Sequence, residues 1–96
     1  ERIAATIGNH SAVMMGNHGA TTVGQTVAEA FDAMYHLERA ARTMVLAYST
    51  GREINIMPHD LAEATAAEWD VYKDAEQAHF AEMKRILDAE DPSYAD

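Results

Sequence analysis

Ala12-Val13-Met14-Met15-Gly16-Asn17-His18-Gly19-Ala20-Thr21-Thr22-Val23-Gly24-Gln25-Thr26-Val27-Ala28-Glu29 is the stretch from which the rest of this chain is read. Ser11 to Met15 and Ala20 to Val23 are strand-length, apolar or β-branched runs. Between them, Gly16-Asn17-His18-Gly19 supplies residues that tolerate positive φ, so the spacing predicts a β-hairpin over about 11–24. His18 stands at its tip, aimed outward by backbone held on both sides. A fold presents a metal ligand or an acid/base group in this way. Gly24 breaks the second strand. Thr26, with Glu29 three residues on, forms a capping box. From Val27, residues Ala30, Phe31, Met34, Leu37, Ala41, Met44, Val45 and Tyr48 recur at helical spacing. They predict a helix over about 26–50, ended by Gly51.

Outward from there, Arg2 to Ile7 reads as the end of a helix stopped by Gly8-Asn9, and Arg52 to Met57 as a connector. Pro58, Asp60 and Glu63 mark a second helix start. Leu61, Ala64, Trp69, Tyr72, His79, Phe80, Met83, Ile86 and Leu87 carry a second stripe, predicting one helix over about 60–88. Trp69, Tyr72 and Phe80 on that stripe read as core. Asp91-Pro92 opens a tail. The predicted fold class is α+β, a β-hairpin followed by two long helices.

A chain of 96 residues, 48% apolar, forms one domain at most and has enough apolar content to pack a core. With no cysteine there is no disulfide framework, thiolate metal site or cysteine nucleophile, which fits a cytoplasmic protein. No apolar run approaches the roughly 20 residues needed to cross a bilayer. The opening Glu1-Arg2-Ile3 carries neither an initiator Met nor a signal sequence, so the chain reads as trimmed. The net charge of −9 is uneven: residues 1–59 hold five acids and four bases, residues 60–96 eleven acids and three bases. Such a surface repels phosphate backbones, so nucleic acid and anionic membranes are excluded as partners.

The candidate sites divide unevenly. His18 is the candidate metal ligand, but a zinc-type centre needs three protein ligands and an open position, and no His-x-His pair is present to supply them. Glu76-Gln77-Ala78-His79 has the Glu-x-x-His spacing of di-iron bundles but occurs once. It is read as a solvated Glu beside a half-buried His. His36 and Arg39 lie one turn apart on the long helix and are read as helix surface. His10 in a turn and His59 before a helix cap are ordinary polar positions. The glycines at 16, 19 and 24 fit neither the Walker nor the dinucleotide spacing.

Taken in order, these motifs resemble the class II aldolase/adducin family. The chain reads Asn17-His18-Gly19, then Gly24-Gln25-Thr26-Val27-Ala28-Glu29-Ala30, then Leu37-Glu38-Arg39-Ala40, and closes on Leu87-Asp88-Ala89-Glu90-Asp91-Pro92-Ser93-Tyr94. The resemblance implies that residues 1–96 are the C-terminal part of a larger α/β/α domain, assembled as a tetramer with active sites between subunits. In the family's enzymes a divalent metal, usually zinc, sits on three histidines, the last of which maps onto His18. The other two, and an acidic catalytic residue, lie upstream in the family and are not in this sequence. The metal there acts as a Lewis acid on a carbonyl and its adjacent hydroxyl. Three readings follow. The chain is the C-terminal portion of a metal-dependent aldolase-type lyase acting on a small hydroxy-carbonyl compound such as a sugar phosphate, inactive alone. Or it is an adducin-like, non-catalytic interaction module. Or it is a free-standing helical oligomer. The retained His18 favours the first. The sheet edges and apolar faces left by the missing half, with Val13, Met15, Val23, Phe31 and Met34 as candidates, imply a homo-oligomer or a bound N-terminal half.

Overall fold

The two strands around the Asn-His-Gly turn pair as an antiparallel ribbon in the computed structural model, which describes residues 2–69, 71–72 and 74–95. Strand β1 (Ala12–Met15) and strand β2 (Gly19–Thr22) set Ala12 opposite Thr22 and Met15 opposite Gly19. Because Gly19 takes part in the pairing, the loop is Gly16-Asn17-His18, one residue shorter than the spacing suggested. Helix α1 (Arg2–Ile7) ends as expected: Gly8 adopts φ +52 and its amide donates to the Ala4 carbonyl at 3.2 Å. Ile7 is buried, and α1 lies against β1. Val13 and Met15 are half-buried, so the residues left bare on the ribbon are Met14 and Val23.

Helix α2 (Val27–Ser49) is capped by Thr26, whose hydroxyl accepts from the Glu29 amide at 3.2 Å. The Glu29 carboxylate returns to the Gln25 amide at 2.6 Å, one residue earlier than a reciprocal capping box requires. At the far end the Gly51 amide donates to the Tyr48 carbonyl at 3.2 Å with φ +65, the left-handed stop that the sequence predicts.

The single helix expected over 60–88 is two helices, α3 (His59–Trp69) and α4 (Ala75–Glu90). Helix α3 closes with the amides of Val71 and Tyr72 donating to the carbonyls of Glu68 and Trp69, and Asp74 stands at φ +74 before α4. Apolar spacing continues across the break, but four of the five residues 70–74, Asp70, Val71, Tyr72 and Asp74, are short polar, β-branched or aromatic and of low helix propensity. Two further expectations fall with it. Trp69 and Tyr72 are 65% and 66% exposed and do not belong to a core. Helix α3 begins at His59, so Asp60 sits in the first turn; the Ala62 amide takes the Pro58 carbonyl and the expected box with Glu63 does not form. The tail is a 3-10 helix over Pro92–Ala95, with the Tyr94 hydroxyl donating to Asp88.

Helix α4 packs on the first half of α2, where Phe80 meets Phe31 edge-on at 5.4 Å. Beyond that the chain is open. Its radius of gyration is 16.4 Å, against about 12.5 Å for a compact chain of this length. It exposes 8404 Å², where a compact protein of its mass exposes roughly 5400 Å². Among the described residues, no helix is long and apolar enough to cross a membrane.

Candidate functional site

His18 stands at the exposed tip of the hairpin, and its amide donates to the Met15 carbonyl at 3.1 Å. Of the two residues between them, only Asn17 has positive φ, at +57, which is the pattern of a type II turn. Gly19 follows at φ +148, a conformation that side chains rarely adopt. The turn therefore needs Asn or Gly before His18 and Gly after it. The imidazole has no side-chain hydrogen bond among the described residues.

The base of the hairpin is locked to the start of α2. A Cβ added at Gly24 would meet the Glu29 Cβ at 2.6 Å and the Ala30 amide nitrogen at 2.8 Å, so the strand exit presses against the first helical turn. The Thr22 hydroxyl donates to the Ala30 carbonyl at 2.8 Å, and the Val23 amide extends the ribbon to the Ser11 carbonyl at 2.8 Å. Ala28 is buried in this joint. The Gly24-to-Ala30 motif is thus a structural joint: glycine for close approach, threonine for the cap, glutamate for the preceding amide, alanine for fit. It holds the ribbon that carries His18.

The remaining histidines stand apart from the tip. His10 is exposed in the turn after α1, and His59 lies 3.8 Å from Glu63 on its own helix. Arg39 places its guanidinium 4.4 Å over the Tyr35 ring rather than beside His36. Glu76 and His79 do not act as a pair. His79 is half-buried, as the sequence suggested, but its Nδ1 lies 2.5 Å from Asp32 Oδ1 across the α2–α4 contact. His36 approaches the other Asp32 oxygen at 3.6 Å. Tyr35 meets the His79 ring edge-on at 4.5 Å, and Phe31 lies 5.6 Å away. Sequence reading missed Asp32. The available signal was its spacing four residues before His36, between the stripe residues Phe31 and Met34.

Among the described residues, no group of three His, Asp or Glu side chains is arranged to hold a metal ion. A single histidine does not make a divalent site, so the residues of this chain by themselves do not fit one. Among the described residues, the ionisable groups held away from their ordinary ranges fall between Glu82 and Asp91, in α4 and just after it. The Tyr94 hydroxyl, and then the Lys84 ammonium, hold the Asp88 carboxyl below its ordinary range; Arg85 does the same to Glu82.

Comparison with known proteins bears on the same elements. Residues 1–45 match the model of the Class II Aldolase and Adducin N-terminal domain, from α1 through the hairpin and most of α2. A Caulobacter vibrioides protein named "Putative aldolase class 2 protein" is 37% identical over 103 aligned residues, covering all of this chain and 38% of that protein. A Pseudomonas aeruginosa protein of the same description is 35% identical over 57 residues, 59% of this chain and 22% of that protein. No solved structure matches. This chain therefore spans well under half the length of the relatives it matches, and by its hairpin, its helix joint and these likenesses it belongs to the class II aldolase/adducin family.

Proposed function

We propose that this chain is the C-terminal portion of a divalent-metal-dependent aldolase-type lyase, and that it gives the metal centre one ligand, His18. The observation that carries the reading is the placement of His18: an uncommitted imidazole at the tip of a turn whose backbone only Asn17 and Gly19 satisfy, on a ribbon fixed at its base. Such rigidity is what a ligand needs and what a surface histidine does not. The other ligands, and the group that moves the proton, come from sequence outside this chain. The substrate is a small hydroxy-carbonyl compound, sugar phosphates among them, and the absence of cysteine suits a cytoplasmic setting.

Expressed alone, the chain has no retro-aldol activity. Calorimetry with zinc gives weak binding that disappears in His18→Ala. Tight stoichiometric binding unaffected by that substitution, or substantial metal-dependent turnover by the isolated chain, contradicts the proposal. No zinc response at all favours the adducin-like module.

A further inference from the structure

Trp69 and Tyr72 stand side by side at the elbow between α3 and α4, and both rings are open to solvent. Local backbone bonds bring them together. The Val71 amide donates to the Glu68 carbonyl at 3.3 Å, that of Tyr72 to the Trp69 carbonyl at 3.0 Å, and that of Ala75 to the Tyr72 carbonyl at 3.4 Å. These successive turns set the two ring centroids 6.1 Å apart with the planes at 57°. The His36 ring on α2 stands 6.4 Å from the indole. The pair forms a half-open corner of two aromatic faces.

Thr65, Glu68 and Ala75 complete an open groove of about 470 Å³ around this corner, within the size range of small-molecule sites. The Thr65 hydroxyl already donates to the Leu61 carbonyl at 2.9 Å, and Ala75 offers only a methyl group, so Glu68 is the charged group of the lining. The surround has the same sign. From Glu68 to Glu76 the chain holds four acids, Glu68, Asp70, Asp74 and Glu76, against one base, Lys73.

An aromatic corner beside a carboxylate favours a cation, and its shape narrows the class. The negative face of a ring attracts a cation within about 6 Å of its centroid, and two tilted faces do so together for a rounded ion. A flat guanidinium stacks on one face, as Arg39 does over Tyr35 at 4.4 Å. A primary ammonium is compact and strongly hydrated, and one carboxylate is a poor substitute for its water. We propose that the α3–α4 elbow binds a small quaternary ammonium compound of the choline type. Its methyl groups lie against Trp69 and Tyr72, and Glu68 offsets its charge. The site uses no residue of the hairpin, so it stands or falls independently of the role assigned to His18.

The test titrates the chain with choline at constant ionic strength, and in parallel with the uncharged alcohol in which carbon replaces the quaternary nitrogen. NMR follows the ring resonances of Trp69 and Tyr72. They should shift saturably with choline, in the millimolar range expected of two exposed cation–π contacts, and the uncharged analogue should bind at least about fivefold more weakly. Tyr48, exposed on α2, should stay silent. Tyr72→Ala and Glu68→Gln should each weaken choline binding about threefold or more, whereas Tyr72→Phe keeps the ring face and should bind like the parent. These side chains are exposed, and circular dichroism checks that each variant keeps its helix content. No saturable shift at Trp69 and Tyr72, or equal binding of the uncharged analogue, overturns the proposal. So does methylguanidinium binding more tightly than choline, or Tyr72→Ala and Glu68→Gln variants that bind like the parent.

Discussion

The two halves of α2 are continuous in hydrogen bonding and opposite in circumstance. Residues 28–35 are buried or half-buried between the hairpin joint on one side and α4 on the other, with the Gln77 side-chain amide on the Thr26 hydroxyl at 3.0 Å, His79 on Asp32, and Phe80 on Phe31. Residues 38–49 touch little beyond their own helix, their polar bonds being local ones such as Arg42 on Glu38 at 3.0 Å. The contrast teaches that helix formation and helix burial are separate facts here. Caps and spacing make one helix of 23 residues, but tertiary structure covers only its start.

The two glycines that flank α2 should differ most in what substitution costs. Gly24→Ala drives a Cβ into the helix joint and should cost about 1–3 kcal/mol in urea unfolding, with much of the hairpin's amide protection lost. Gly51→Ala meets no atom within 4 Å and pays only for its left-handed φ, about 1 kcal/mol. Equal effects would mean that the anchored and bare ends of α2 are energetically alike. Next in size is Asp32→Ala, which leaves the half-buried His79 without its carboxylate and should cost about 1–2 kcal/mol. A double-mutant cycle with His79→Ala should return coupling of about 0.5–2 kcal/mol, and none if the two residues act independently.

The hairpin, its tip and the joint were legible because their determinants are local. Glycine and asparagine meet sterically special φ values, Thr26 caps three residues ahead, and Gly51 stops the helix where it stands. The break between α3 and α4 was not legible. The stripe through Trp69 and Tyr72 keeps its period across the break, and spacing carries no information about where a chain turns. Asp32 was passed over for a similar reason. Its partner His79 is 47 residues away, and the meeting depends on how α4 lies on α2. For the candidate site, the position of His18 at the hairpin tip was legible from its turn, whereas the packing of α4 on the first half of α2 was not.

Smaller effects belong to the exposed elements. Val45→Ala, on the bare half of α2, should change the stability of the monomer by no more than about 0.5 kcal/mol, where Phe31→Ala on the covered half should cost several times more. Smallest is the C-terminal clasp. Asp88 is held below its ordinary carboxylate range by Tyr94 and then Lys84, so in the folded chain it ionises more readily than in the unfolded one. Its contribution is therefore present at neutral pH and lost as pH falls below the ordinary carboxylate range. Tyr94 ring resonances should move on acidification below that range, and the step should be missing in Asp88→Asn.

Whether His18 is the metal ligand is decided most directly by following the five histidine imidazoles by NMR while zinc is added. His18 should respond first, at a modest affinity set by a single ligand, and His18→Ala should abolish the earliest shifts while leaving those of His36 and His79 in place. A first response at His36 and His79, with His18 silent, would put the metal chemistry on the α2–α4 contact and contradict the assignment of the hairpin tip.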